Sequence, residues 1–270
     1  MSQRYGNRGG KYTIAGPRYL TMAINIDLSG KTALITGATR GIGKAISEKF
    51  IQAGATVYLT GTNEADIKQY TYANKNSNIH WLHADFSTRK GIDSLIAKLK
   101  CIDRIDICIN NAGINIIKPF EDCSKDEYDR LMSVNLTAPF SLTQYLMVGM
   151  KERSFGRVVN IASIWSQITK SERALYSTSK TGLLGFTRAL AVEHAPWNIL
   201  VNAVSPGFTC TELTKQSLSE DEMKMLSTQI PLRRLAVPDE IAMTVLFLCS
   251  DLNSYITGQN ITIDGGYTLV

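Results

Sequence analysis

Tyr176 and Lys180 lie four residues apart in Tyr176-Ser177-Thr178-Ser179-Lys180, and the apolar positions that follow, Leu183, Leu184, Phe186 and Leu190, recur at helical spacing. On a helix the two polar side chains project from one face. A phenol with an ordinary pKa near 10 is about 3 units too weak a base for neutral pH, and a neighbouring ammonium favours its ionised form. The pair suits proton exchange with a carbonyl or alcohol oxygen. Ser163 closes the apolar run Arg157 to Ala162 and is expected to hold that oxygen by a hydrogen bond. Asn135 falls inside a helical pattern running from about Ser124 to Met150. Singly, each has a plainer reading: an amphipathic helix face, a serine at a strand end, a satisfied amide.

A second segment, Thr36-Gly37-Ala38-Thr39-Arg40-Gly41-Ile42-Gly43, joins the apolar run Thr32 to Thr36 to an amphipathic pattern through Ile42, Ala45, Ile46 and Phe50. Glycines at such a junction permit a tight turn and close approach, the geometry in which amides at a helix N-terminus hold a pyrophosphate. Arg40 offers a fork of donors suited to a further phosphate, the alternative being a solvated surface arginine.

The elements that must position these groups follow from periodicity. Short β-branched runs, Thr32 to Thr36, Thr56 to Thr60, Ile79 to His83, Ile105 to Asn110, Arg157 to Ala162, Ile199 to Ser205 and Ile261 to Ile263, alternate with longer stretches of helical period. That alternation predicts a single α/β domain, a Rossmann-type doubly wound fold with a mostly seven-stranded parallel sheet. Its ligand belongs beyond the carboxyl ends of the strands.

Composition bounds the rest. At 270 residues, 44% hydrophobic and 20% charged, the chain reads as an ordinary globular protein. No stretch has the roughly 18 uninterrupted apolar residues of a membrane span. The net charge of +5 is concentrated in residues 1–22, which hold Arg4, Arg8, Lys11 and Arg18 and no acid, so the remainder carries +1. The expected division is therefore a flexible basic arm or leader, 1–22, before a domain 23–270. A nucleic-acid role for the arm is the minority reading. The five cysteines, 101, 108, 123, 210 and 249, show no metal spacing and are expected to be reduced and mostly buried in a cytoplasmic protein. His80, His83 and His194 are expected to be structural, and no metal site is expected.

The spacing Gly37-x-x-x-Gly41-x-Gly43 resembles the short-chain dehydrogenase/reductase family, and the resemblance runs from Leu28 to Val270. It is carried further by Asp85, by Asn110-Asn111-Ala112-Gly113, by Asn135, Ser163, Tyr176 and Lys180 in that order, and by Pro206-Gly207. It implies a nicotinamide cofactor and assigns Asn135, Ser163, Tyr176 and Lys180 as catalytic. Lys180 and Tyr176 would also touch the cofactor, and Asn135 would bend its helix and hold a water. Cofactor contacts carried over are Thr36, Gly37, Thr39, Arg40, Gly41, Ile42 and Gly43 in the turn, then Asp85 beside adenine, Asn111, Ala112, Gly113, Pro206 and Gly207. Thr209 resembles the hinge residue of a lid spanning Phe208 to Arg234. Relatives that use NAD place an aspartate where this chain has Gly61, so NADP(H) is the expected cofactor, with Thr62 standing where many such relatives have an arginine.

The nearest branch resembles 3-oxoacyl-carrier-protein reductases, implying reduction of a 3-oxoacyl thioester or related ketone. A sugar, polyol or sugar-acid dehydrogenase is the competing reading. A non-catalytic dinucleotide-binding protein is the alternative of another class. Val192, Glu193 and Trp197 stand where carrier-binding relatives place basic residues, for which Arg153 and Arg157 are expected to compensate in part. Asn115, Trp165, Arg173 and Phe208 are the candidate substrate contacts, with Arg173 either clamping a carboxylate or pairing with Glu172. Relatives are mostly homotetramers, which implies burial of Leu269 and Val270 on assembly.

Overall fold

In the computed structural model, the described residues are 25–74, 76–217 and 219–270. The expected arm, 1–22, and its boundary with the domain lie outside them. Seven strands form one sheet: β1 (Thr32–Ile35), β2 (Thr56–Gly61), β3 (Ile79–His83), β4 (Ile107–Asn110), β5 (Gly156–Ile161), β6 (Ile199–Pro206) and β7 (Asn260–Ile263). All pair in parallel, in the order β3-β2-β1-β4-β5-β6-β7. The order reverses between β1 and β4, and a crevice opens at the carboxyl ends of those two strands.

The helices are α1 (Gly41–Gln52), α2 (Glu64–Ala73), α3 (Arg89–Leu99), α4 (Lys125–Met132), α5 (Ala138–Glu152), α6 (Ala174–His194), α7 (Glu212–Ser217), α8 (Glu220–Thr228) and α9 (Pro238–Cys249). They cover both faces of the sheet, which is why β4, β5 and β6 are buried along their whole lengths and are dense in Val, Ile and Leu rather than alternating. Ala33 and Ile35 of β1 enter a core with Phe50 of α1 and Val245 of α9, whereas Leu34 enters the opposite core with Leu95 of α3 and Leu142 of α5. Edge strand β3 is only half-buried, which suits His80, Trp81 and His83.

Two expectations need correction. The single helix from Ser124 to Met150 is α4 and α5 joined by a π-turn, Ser133–Thr137, with Asn135 at its centre. Of the five cysteines only Cys108 and Cys249 are buried, while Cys123 and Cys210 are half-buried and Cys101 is exposed in the turn after α3. Among the described residues no helix is long and apolar enough to cross a membrane.

Candidate active site

The glycine turn is held from both neighbouring strands. The Thr36 hydroxyl donates to the Ile109 carbonyl (3.2 Å) and accepts from the amides of Asn111 (2.9 Å) and Ala112 (3.0 Å). Asn111 Nδ2 donates to the carbonyls of Thr36 (2.8 Å) and Gly37 (3.0 Å). From β2, Thr60 Oγ1 accepts the Gly37 amide (3.1 Å) and its carbonyl accepts the Ala38 amide (2.9 Å). Gly37 and Gly41 have φ of +65° and +56°, a region that glycine enters without steric cost. Gly43 answers a different need, since a Cβ there would lie 2.2 Å from the Gly37 carbonyl oxygen and 2.4 Å from Asn111 Nδ2.

A cleft of about 630 Å³ runs over this turn. Gly37, Thr39, Arg40, Gly41, Ile42 and Gly43 line its floor, Thr60, Gly61 and Thr62 one end, and Asn111, Ala112, Gly113 and Ile114 the other. Asp85, Ser87, Arg130 and Val134 line a side wall, and Thr211 and Glu212 reach in from the lid. Asp85 accepts the Ser87 amide (2.9 Å), and the Ser87 amide and hydroxyl hold its carboxyl below the usual range against its burial. The floor fits a pyrophosphate: it is a helix N-terminus approached without side-chain obstruction. The β2 end, Thr60, Gly61 and Thr62, carries no acid, and Arg40 is on the adjoining floor, a set that suits a 2′-phosphate. A Cβ on Gly61 would lie 2.5 Å from Thr39 Cγ2 and 2.9 Å from Ile67 Cδ1, so a side chain there would have to displace those two side-chain ends.

Six expected cofactor contacts do not line this cleft: Tyr176 and Lys180, which stand at its inner end, and Thr36, Pro206, Gly207 and Thr209. Thr36 is buried beneath the turn and its hydroxyl is used there. Pro206 ends β6, and Gly207 lies against β7, where a Cβ would come 2.7 Å from Asp264 Cα. Thr209 is buried, bonded to the Gly207 carbonyl (3.2 Å) and paired with Ala236 in a parallel bridge. The lid threonine on the cleft is Thr211. Its amide donates to the Thr209 carbonyl (2.9 Å), a three-residue turn that ends the extended chain.

At the inner end, a Cβ on Gly113 would lie 3.4 Å from Lys180 Nζ and 3.5 Å from Asn135 Oδ1, so the cleft meets the catalytic candidates there. Lys180 is buried, with Nζ donating to the Ile161 carbonyl (2.7 Å) and 5.7 Å from the centre of the Tyr176 ring. Burial lowers its pKa to about 8. Among the protein's own groups, burial pushes the Tyr176 phenol up, opposed by the Ser163 hydroxyl and by Arg173. The Lys180 ammonium is held on a backbone carbonyl beside the ring, and Ser163 and Arg173 are the groups that oppose the effect of burial on the phenol. Ser163 caps a 3-10 turn, Ile164–Ser166, by accepting the Trp165 amide (3.2 Å), which leaves its O–H to donate.

Asn135 is fully buried, and its amide is satisfied by protein. Oδ1 accepts the Ile114 amide (2.9 Å), and Nδ2 donates to the Ile114 carbonyl (2.9 Å) and to Ser179 Oγ (3.1 Å). Ser179 in turn donates to the Tyr176 carbonyl (2.8 Å). The π-turn thus ties the cleft wall to α6, which carries Tyr176 and Lys180. A second buried link went unread in the sequence: Asn110 Nδ2 donates to Asn160 Oδ1 (2.8 Å) and Thr143 Oγ1 (3.1 Å), and Asn160 Nδ2 to Thr187 Oγ1 (2.9 Å), fixing α5 and α6 on the sheet.

On the substrate side Phe208 meets Tyr267 (5.0 Å between ring centres) and Trp165 (6.1 Å) edge to face. Tyr267 was not foreseen. Arg173 makes no ion pair with Glu172: its Nη1 reaches only that residue's carbonyl (3.4 Å), and its Nε is buried without a partner. Asn115 is exposed and does not line the cleft. Arg153 and Arg157 are not free to meet a carrier. Arg157 is 4% exposed and bonds the carbonyls of Gly156 and Asn198 (both 2.9 Å), while Arg153 bonds the Ile105 carbonyl (2.8 Å) beside buried Asp106. His80 stacks on Tyr58 (4.5 Å), His83 Nε2 bonds the Thr62 carbonyl (3.1 Å) and His194 Nδ1 the Leu190 carbonyl (3.1 Å). Among the described residues no group of His, Cys, Asp or Glu could hold a metal ion.

This fold and site are those of a dinucleotide-dependent oxidoreductase, and comparison narrows the class. Residues 37–268 match the family described as enoyl-(acyl carrier protein) reductase. The chain is similar to the 3-oxoacyl-[acyl-carrier-protein] reductase of Aquifex aeolicus, at 43% identity over 90% of this chain and 99% of that one. It is similar to the NAD-dependent glycerol dehydrogenase of Listeria innocua, at 36% identity over 91% and 96%. Its structure resembles a gluconate 5-dehydrogenase from Burkholderia cenocepacia solved with NADP and tartrate, with a TM-score of 0.82, 27% identity and coverage of 90% and 97%. The chain belongs to the short-chain dehydrogenase/reductase family, oxidoreductases that interconvert carbonyl and alcohol groups.

Proposed function

We propose that this protein is an NADP(H)-dependent reductase of a ketone, in the first place a 3-oxoacyl thioester, with Tyr176 as its proton donor. The observation that carries it is the meeting of Lys180 and Asn135 with the cleft at Gly113, one helical turn from Tyr176. NADP(H) is favoured by Arg40, by the absence of a carboxylate at Gly61 and by the NADP in the Burkholderia relative, against the NAD-dependent Listeria relative. The nicotinamide, when bound, supplies or takes up the hydride.

The chain's own residues do the rest. A phenol raised by burial keeps its proton at neutral pH and delivers it to the developing alkoxide. Ser163 donates to the same oxygen, fixing its position beside Tyr176. With a pKa near 8, Lys180 is mostly charged at neutral pH and presents its ammonium to the inner end of the cleft. Asn135, through Ser179, positions the helix that carries both groups. An assay of NADPH oxidation over 3-oxoacyl thioesters, keto sugars, keto acids and simple ketones tests this. The thioesters should turn over fastest with NADPH; faster and tighter use of NADH would remove the cofactor assignment.

A second reading, a sugar-acid dehydrogenase, is favoured by one observation: Arg173 has an unpartnered buried Nε and acts on the Tyr176 phenol. Under it, Arg173→Ala raises KM for acidic ketones at least about tenfold, the loss of one charge-assisted contact, and leaves thioester KM unchanged. An equal KM for acidic ketones in both proteins removes this reading.

The protein is further proposed to work in the cytoplasm as a homotetramer. Phe140 and Val148 on α5, Val192 on α6, and Leu269 and Val270 at the end of the chain are exposed apolar residues that such an assembly would cover.

A further inference from the structure

The N-terminus of α1 carries no cap of its own. Arg40 stands at the cap position without a side-chain bond, and the first turn holds no acidic residue. The missing acceptor comes from the lid: Glu212 Oε2 accepts the Gly41 amide at 3.1 Å, across 171 residues of sequence. The Glu212 carboxyl is held below its usual range by its own main-chain amide and then, against burial, by the Gly41 amide and by Lys44 and Lys215. A carboxylate thus sits on the first amide of α1, within the glycine turn that floors the cleft. Two anions cannot share that donor.

We propose that Glu212 sets the affinity of the cleft for its dinucleotide by competing with the cofactor pyrophosphate for the Gly41 amide. Glu212 is a tertiary cap of α1 in the unliganded protein, and the pyrophosphate replaces it on binding. The lid segment that begins at Glu212 is thereby released from the turn when cofactor enters. The proposal rests on the reading of the cleft as a dinucleotide site.

Calorimetric titration of the full chain and of Glu212→Gln and Glu212→Ala, with NADPH and with adenosine 2′-phosphate, separates the two. The second ligand carries the adenosine end of the cofactor and no pyrophosphate. The Kd for NADPH should fall about two- to fivefold in both variants, the size of one charge at a helix terminus, while that for adenosine 2′-phosphate stays the same. Melting adds a readout that a purely structural cap would not give: without ligand the variants should melt about 2 °C below the wild type, and saturating NADPH should erase the difference. An unchanged or weaker NADPH affinity, or a melting deficit that persists with NADPH, overturns the competition and leaves the dinucleotide reading standing. A wild-type protein that binds neither nucleotide overturns both.

Discussion

The two ends of the site are built in different ways. The proposed cofactor end is backbone: a glycine turn clamped by Thr36, Thr60 and Asn111, with Gly43 placed where no side chain fits. The proposed substrate end is side chains: Trp165, Phe208 and Tyr267 in edge contact, Arg173 short of partners, and the short helices α7 and α8. Backbone geometry tolerates little change, whereas a wall of side chains can be refitted to a new ligand. The same chemistry can therefore be kept while substrates differ, as the names of a carrier-protein reductase, a glycerol dehydrogenase and a gluconate dehydrogenase among its relatives suggest.

Substitutions at the two ends should consequently differ in kind. The largest effect is expected at Gly43→Ala, whose Cβ meets a backbone oxygen: a loss of about 3 kcal/mol of stability or more, together with NADPH affinity, measured by denaturant unfolding and titration. Retained affinity would show that the turn can yield. Next comes Lys180, between the ends. Its pKa is about 8 in the folded chain against 10.5 for the ordinary group. Between those values the unfolded chain binds the extra proton, so stability rises with pH across the window, by on the order of 3 kcal/mol, and below it the cost is constant. Lys180→Met should remove that rise; an identical slope in the variant would place the lysine in water. The smallest effect belongs to the aromatic wall. Phe208→Ala should cost about 1 kcal/mol of stability or less and shift relative kcat/KM among substrates without changing NADPH affinity. A fall in NADPH affinity would join the two ends into one unit.

Local signals made much of this legible. The helical spacing of Tyr176 and Lys180, the glycines after β1 and the apolar runs of the sheet each depend on neighbours in sequence, and the strands lie within about two residues of their expected limits. What escaped depends on contacts between distant segments. Asn110 and Asn160 are register partners on adjacent strands, which no pattern within either strand reveals. Thr209 and Thr211 exchange roles because a three-residue turn intervenes. Arg157 heads a strand and looked available, yet its guanidinium lies over the Phe155 ring (4.5 Å) and bonds main-chain carbonyls. The bend at Asn135 was expected from the resemblance but its π-turn form leaves no periodic trace, and Glu212 reaches the glycine turn only once the segment after β6 has folded over it.

The central claim is that Tyr176 carries the proton at the inner end of a dinucleotide cleft that is built independently of it. Tyr176→Phe tests this directly, because it deletes one oxygen and keeps the ring. Turnover with NADPH and the best ketone should fall about 10³-fold, within the range for loss of a general acid, while the Kd for NADPH stays within about twofold. A variant that keeps a tenth or more of its turnover, or loses NADPH binding together with activity, would contradict the account.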